Sequence, residues 1–360
     1  MKILVINCGS SSIKYKFFDN HKVMKYGTIN NVSDYNETLN QIIKSFESID
    51  AVAHRVVHGG EIFTRPTIIT PEVCEQIKYL IPLAPLHNPS NLLGIKTVLK
   101  LLPNLLQIAV FDTSFHQTMP QRSYMYAIPY EFYEKHHIRK YGFHGSSHEY
   151  VANVASKMIC KPLNQCNLIT IHLGNGSSIT AIKNGKSYDT SMGFTPLEGL
   201  IMGTRSGDID PAIIFYLHDS LQIPLKQINE ILNKKSGFKG ICGISDFIEI
   251  LNHYNDPKYR LIVDMFIDHI IHYIGGYFLK LEFVDAIVFT GGIGEHSSFI
   301  REKISQKLIP LGIYMDKEKN ISCHESCFDF HTNTSKVKLL NISTDEEYLI
   351  YQKSLDIISK

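Results

Sequence analysis

Two stretches of this chain are built on one plan, and a chain duplicated in this way is constrained to fold as two like halves. Ile3-Leu-Val-Ile-Asn7 runs into Cys8-Gly-Ser-Ser-Ser12 and then the apolar run Ile13 to Phe18. Leu168-Ile-Thr-Ile-His172 runs into Leu173-Gly-Asn-Gly-Ser-Ser178 and then Ile179-Thr-Ala-Ile182. Each reads as strand, tight Gly/Ser turn and strand, with β-branched residues on both sides of the turn. Glycine lets the backbone turn sharply and approach a ligand, and clustered N–H and hydroxyl donors suit phosphate oxygens. One such hairpin is ordinary chain reversal. Two in matching positions predict a duplicated fold that holds a phosphate chain.

A third loop extends the pattern. Val284-Asp-Ala-Ile-Val-Phe-Thr290 reads as a buried strand opening into Gly291-Gly-Ile-Gly-Glu295 ahead of a helix, a way of presenting N–H groups to a nucleotide. The glycine spacing is not the dinucleotide fingerprint, and no G-x-x-x-x-G-K-[ST] occurs, so neither of those phosphate-binding designs applies.

Composition narrows the partners. A formal net charge of +1 with scattered basic residues excludes nucleic acid and a membrane surface as expected partners. The longest apolar stretch, Leu261 to Leu279, is broken by Asp264, Asp268, His269 and His272, so it predicts a core helix and not a membrane span. The first strand starts within three residues of Met1, leaving no room for a signal peptide. Seven cysteines without the spacing of a disulfide framework suit a reducing cytoplasm. Cys323-x₃-Cys327, with His324 and His331 nearby, is too loosely spaced for zinc and reads as ordinary loop thiols.

Strands are predicted near 3–7, 13–18, 50–57, 107–111, 168–173, 284–290 and 337–342. Helices are predicted near 71–81, 89–102, 210–218, 258–281, from about 298, and at the C-terminus. Tyr141-Gly-Phe-His-Gly-Ser-Ser-His148 reads as a loop feeding a helix, with Ser146 as its cap and Glu149 completing a capping box. No low-complexity linker separates the halves. The sequence restart gives domains over 1–147, joined by the terminal helix at about 346–360, and over 148–345.

The segments NCGSSSIKY from Asn7, HRVVHGGE from His54, LAPLHNP from Leu83, VFDTSFHQTMP from Val110 and RKYGFHGSSH from Arg139 follow one another in order. HLGNGSS from His172, FTPLEGLIMGTRSGDIDP from Phe194, FTGGIGEHS from Phe289 and STDEE from Ser343 complete the series. In this order, over nearly the whole chain, they resemble the acetate kinases of the acetate and sugar kinase/Hsp70/actin superfamily. The resemblance implies an α/β fold of two duplicated ribonuclease H-like (actin-like ATPase) domains with a cleft between them. It also implies a terminal helix packed back on the first domain. The implied reaction is reversible transfer of the ATP γ-phosphoryl group to acetate, giving acetyl phosphate and ADP. ATP is the co-substrate, with Mg²⁺ or its substitute Mn²⁺, in a cytoplasmic homodimer.

Phosphoryl transfer asks for positioning and charge neutralisation more than for covalent chemistry. An acceptor carboxylate is already ionised at pH 7, so the difficulty is to bring an anion against a polyanion. Only seven of the 36 basic residues are Arg, which makes their placement telling. The resemblance assigns Arg205, in a Gly-flanked polar loop, to the transferring phosphoryl group, and Arg55 to the acceptor carboxylate. A guanidinium is a planar fork that matches either oxyanion. It assigns His144 to the phosphoryl oxygens in flight and makes Asp112 essential, orienting Arg or metal-bound water more plausibly than moving a proton. The methyl pocket carries over onto Val57, Leu86 and Pro196, with His87 bordering it. Metal-side residues are Asn7 and Glu346. The nucleotide side takes Lys14, His172, Leu173, Gly174, Asn175, Gly176, Asp246, Phe247, Ile248 and Gly291, Gly292, Ile293, Gly294 and Glu295.

The chain also departs from the family. It is shorter, mostly between Phe18 and Asp50; Ile248 stands where the family usually has Arg beside the adenosine; and His296 replaces the usual Asn. A propionate or other short-chain acyl kinase is the alternative within the enzyme class. A nucleotide sensor without turnover is the alternative outside it, and intact acceptor-side residues speak against that.

Overall fold

The computed structural model describes residues 1–9, 11–323 and 325–359. The first half contributes β1 (Lys2–Cys8), β2 (Ser12–Asp19), β3 (Lys22–Asn30), β4 (Ala51–Val56), β5 (Thr67–Ile68) and β6 (Leu106–Phe111). The second contributes β7 (Leu168–Leu173), β8 (Ser177–Lys183), β9 (Lys186–Thr190), β10 (Ala286–Thr290), β11 (Cys327–Asp329) and β12 (Lys338–Ile342). They form two sheets, ordered β3-β2-β1-β4-β6-β5 and β11-β12-β10-β7-β8-β9. Adding six to every number in the first order gives the second, read from its other edge. The senses agree as well. β1–β2 and β7–β8 are antiparallel hairpins, β1–β4–β6 and β7–β10–β12 are parallel, and β5 and β11 close the edges antiparallel. The duplication expected from the two Gly/Ser turns is therefore a duplication of whole sheets.

The pleat sorts the apolar residues of β1 onto two faces. Leu4 and Ile6 pack with Leu39, Ile42 and Val98, from helices Tyr35–Lys44 and Asn88–Leu101. Ile3 and Val5 pack on the other side with Ile350 and Tyr351 of the terminal helix Glu346–Ile358. A central strand covered on both faces reads as an unbroken apolar run, as Ile3-Leu-Val-Ile6 does. In the second sheet Ile169, Ile171 and Leu173 pack into one core with the helix Pro257–Leu281. That helix starts at Pro257, after Asp256 accepts from the Lys258 N–H, and proline suits the first helical position because its missing donor would be unused there. Its buried residues, among them Ile262, Phe266, Ile270, Ile274 and Tyr277, recur every three or four positions, while Asp264 and Asp268 stay exposed. No helix among the described residues is long and apolar enough to cross a membrane.

The chain resolves into two compact units, one of Met1–Gln117, Phe143–Tyr150 and Asp345–Lys360, the other of Thr118–Gly142 and Val151–Thr344. The terminal helix thus packs on the first unit. Thr118–Gly142, grouped by sequence with the first half, clusters with the second. The shortened 18–50 region still builds β3 and a helix, Tyr35–Lys44, which Asp34 caps by accepting from Asn36 and Glu37 N–H groups; neither element was anticipated. The helix expected near 210–218 is a short α-turn, Ala212–Phe215, running into a π-helical turn at Tyr216–Ser220.

Candidate active site

In the first unit Arg55 and Asp112, both expected in the site, lie at the C-terminal ends of parallel strands, a usual place for ligands in α/β sheets. Arg55, near the end of β4, donates from Nε to Asp112 Oδ1 at 3.1 Å, and its Nη2 pairs with Asp112 Oδ2. Glu346 Oε2, at the start of the terminal helix, lies 3.5 Å from Arg55 Nε. Burial works against the Arg55 charge, but Asp112 and then Glu346 hold its pKa above the ordinary arginine value. The Glu346 carboxyl is pushed up to about 7, first by burial and then by Asp112 and Glu347, against the pull of Arg55. A guanidinium so paired is fixed in place, and removing one partner would leave the other buried and uncompensated.

Asp112 is 1% exposed and follows β6 directly. It also accepts from Ser146 Oγ at 2.9 Å. That corrects the expected capping box: the helix Gly145–Met158 begins one residue before Ser146. Ser146 therefore lies in its first turn and orients Asp112. A Cβ at Gly145 would overlap the Asp112 carbonyl, so glycine is what allows the helix start to close on this carboxylate. The preceding residue, His144, holds a left-handed backbone at φ 55°, a costly conformation for a side chain that commonly marks functional sites.

Sequence reasoning missed the braces beneath this cluster. Asn91 accepts from Val57 N–H at 3.0 Å and donates to the Cys8 carbonyl at 2.7 Å, tying the ends of β1 and β4 together. Asn88 holds His58 through both its N–H and its carbonyl. Two asparagines at the start of one helix, in Asn88-Pro-Ser-Asn91, were the available signal. Of the expected methyl pocket, Val57 is 8% exposed and Leu86 is 52% exposed, while Pro196 belongs to the other unit.

The second unit contains a pocket of about 720 Å³. Gly174 and Asn175 of the β7–β8 turn reach it, as do Asp246, Phe247 and Ile248, and Gly292 and Ile293 of the third loop. Ser245, Leu251, Asn252, His296, Ser297, Ser298 and Phe299 complete its walls. Apart from His296, noted only as a departure from the family, none of these was anticipated. His172, Leu173 and Gly176 do not line it; Leu173 turns into the core. Asp246 caps the helix Phe247–Asn252 by accepting from the Glu249 N–H at 2.9 Å. Glu295, expected on the nucleotide, accepts from the Gly291 and Thr344 N–H groups and braces its own loop. Ile248 is 72% exposed at the rim.

Arg205 is treated differently from Arg55. Its Nη1 donates to the Pro196 carbonyl at 3.1 Å and lies 3.6 Å from the Met202 sulfur. No carboxylate among the described residues pairs with it, and burial pushes its pKa down. An unpaired, largely buried cation is costly unless it faces an anionic ligand. Among the described residues no three His, Cys, Asp or Glu side chains gather as a metal cluster. His324 lies outside those residues.

Two like mixed sheets flanked by helices, with glycine turns around a nucleotide-sized pocket, define an actin-like ATPase fold. Residues 28–352 match the model of the acetokinase family, and the chain belongs to that family. It is 47% identical to an acetate kinase of Sulfurovum sp., with all of both chains covered. Among solved structures it matches Porphyromonas gingivalis acetate kinase with TM-score 0.93 at 39% identity, covering 99% of each chain. It matches a propionate kinase from Francisella tularensis with TM-score 0.92 at 42% identity, covering 98% of each.

Proposed function

We propose that this chain is an acetate kinase, moving the ATP γ-phosphoryl group reversibly and in line to acetate to give acetyl phosphate and ADP. The observation that carries the acceptor assignment is Arg55 with Val57 two residues on. Asp112 takes Nε and Nη2 of the guanidinium, which leaves Nη1 for an acceptor carboxylate, and buried Val57 offers apolar surface for its methyl. Since acetate is already ionised, no base is required. Asp112 then serves to hold Arg55, and His144 donates to the phosphoryl oxygens. Arg205 meets the charge that the transferring group spreads over its oxygens, and the second unit's pocket takes the adenosine.

The first unit suits Mg²⁺. Glu346 is a half-buried carboxyl beside Asp112 and Glu347, a surplus of hard oxygen donors that a cation relieves. Lys14, the cross-strand neighbour of Asn7, acts on that same carboxyl. Glu346 and the Asn7 amide oxygen would hold the ion, with water completing its shell. When bound it neutralises phosphate charge. We further assign the protein to the cytoplasm, where its seven unpaired thiols are stable, and to a homodimer.

A propionate kinase is the second reading, favoured by the exposure of Leu86, which leaves one expected wall of the methyl pocket open. The test is ADP release across formate, acetate, propionate and butyrate. Acetate should give the highest kcat/KM, with propionate lower by about 5- to 100-fold, the worth of one misfitted methylene. Equal or better use of propionate would overturn the acetate assignment.

A further inference from the structure

The loop carrying Arg205, between β9 and the helix Ala212–Phe215, has no regular structure, yet a positioned guanidinium needs a rigid support. One side chain supplies it. The Glu198 carboxylate accepts from Lys140 Nζ at 2.6 Å through Oε1 and from the Tyr126 hydroxyl through Oε2. Tyr126 in turn accepts from the Phe194 N–H at 2.8 Å. Gly193 packs so close that a Cβ there would overlap both the Glu198 carboxylate and the Tyr126 hydroxyl. The Gly193 carbonyl accepts from the Tyr141 N–H at 3.0 Å. So Glu198 and Phe194 are held on either side of Pro196, whose carbonyl is the hydrogen-bond acceptor for Arg205.

We propose that Glu198, clamped by Tyr126 and Lys140, is a positioning residue that sets Arg205 through the Pro196 carbonyl. All of these residues lie in the second unit. The 118–142 segment, which leaves the first half of the sequence to pack there, is the scaffold of the phosphoryl-binding loop. Lys140 and Tyr126 occupy both oxygens of the Glu198 carboxylate, so it acts through its neighbours. Its carboxylate is 32% exposed, so an amide in its place leaves the core intact, while it forfeits the charge-assisted bonds that fix the loop. Burial and then the Glu198 charge raise the Tyr126 pKa, so the phenol remains the donor throughout the working range.

The inference rests on the assignment of Arg205 to the transferring phosphoryl group, and a double-mutant cycle separates the two. Glu198→Gln should lower kcat about tenfold with both KM values within twofold, and Lys140→Met should do the same to a smaller extent. In an Arg205→Leu background, Glu198→Gln should cost less than twofold, because there is no longer a guanidinium to position. An equal loss in both backgrounds would overturn the positioning role while leaving Arg205 in place. Near-normal kcat in Arg205→Leu alone would overturn both. If Glu198→Gln raised KM and left kcat unchanged, the loop would serve binding only and the proposal would fail. Thermal melts of each variant, and its affinity for ADP, establish that the fold and the pocket persist.

Discussion

The two units share a strand order and treat their arginines oppositely. In the first, Arg55 is held by Asp112 and Glu346 before any ligand arrives. In the second, Arg205 has one carbonyl and a thioether, and burial weighs against its charge. A fixed, neutralised guanidinium presents a donor to an anion that binds in its ground state. An uncompensated one gains most from charge that develops during transfer, and interactions stronger in the transition state are those that raise rate. One sheet design therefore carries two arginines in opposite electrostatic settings, one paired with carboxylates and one held by a carbonyl.

The largest expected effect breaks that comparison directly. Arg205→Leu should lower kcat by about 10²–10³ with smaller changes in KM, and should leave the unfolding midpoint unchanged or raise it. Arg55→Leu should instead destabilise the protein by about 3–5 kcal/mol, because buried Asp112 and half-buried Glu346 are then left without their cation. Melting curves beside kinetics distinguish the two. If Arg205→Leu were as destabilising as Arg55→Leu, the contrast between paired and unpaired cations would be wrong.

A smaller effect concerns pH and belongs to the first unit. Burial lowers His54 to about 4 and His58 to about 3. His54 bonds Gln107 Oε1 at 2.8 Å through Nε2. Both histidines stay neutral when folded and gain a proton when unfolded. The unfolded chain thus binds more protons below about 6.5, and stability falls as pH drops from there. Between pH 7 and pH 5 each histidine should cost about 2 kcal/mol. Glu346 has its opposite sign in the same window. Its raised pKa means the folded state binds more protons, so its contribution falls as pH rises from 4.5 to about 7. The raw slope therefore mixes the two. The decisive comparison is denaturant unfolding of wild type and His54→Gln at pH 7 and pH 5. The variant should lose less stability on acidification; an identical loss would mean that His54 titrates normally in the fold.

How much of this was legible in the sequence follows from where the information sits. The two hairpins and the third loop were readable because glycine turns and β-branched runs act locally. The sheet edges β5 and β11, two and three residues long, carry too few residues to show a period. Ser146 sat in a spacing that suits a capping box, but the close approach allowed by Gly145 draws its hydroxyl to Asp112, 34 positions away. Which groups the braces Asn91 and Glu198 hold was hidden for the same reason. Their partners lie 83 and 72 positions distant, and no local pattern predicts a contact of that kind. The second unit's pocket was half legible: its glycine turns were found, while the walls supplied by Ser245, Asn252 and Phe299 carry no signature.

The smallest expected effect lies at that pocket's rim and contrasts it with the braced first unit. Ile248 lines the pocket yet is 72% exposed, so an arginine there would sit in water and not in a buried pair. An exposed charge contact is worth about 0.2–1 kcal/mol. Ile248→Arg should therefore lower the KM for ATP by only about two- to fivefold, leaving kcat unchanged. In the wild type, with no guanidinium at this position, the purine meets mainly apolar walls and the Gly292 turn, which read its edge weakly. GTP should then support at least about a tenth of the ATP rate, since edge contacts this weak discriminate by less than about 1.4 kcal/mol, which is tenfold. Initial rates against ATP and GTP concentration for both proteins give the answer. A gain in ATP affinity well beyond fivefold would mean that the side chain folds inward onto the base. Strict ATP specificity in the wild type, with no change in the variant, would mean that residues deeper in the pocket already read the adenine.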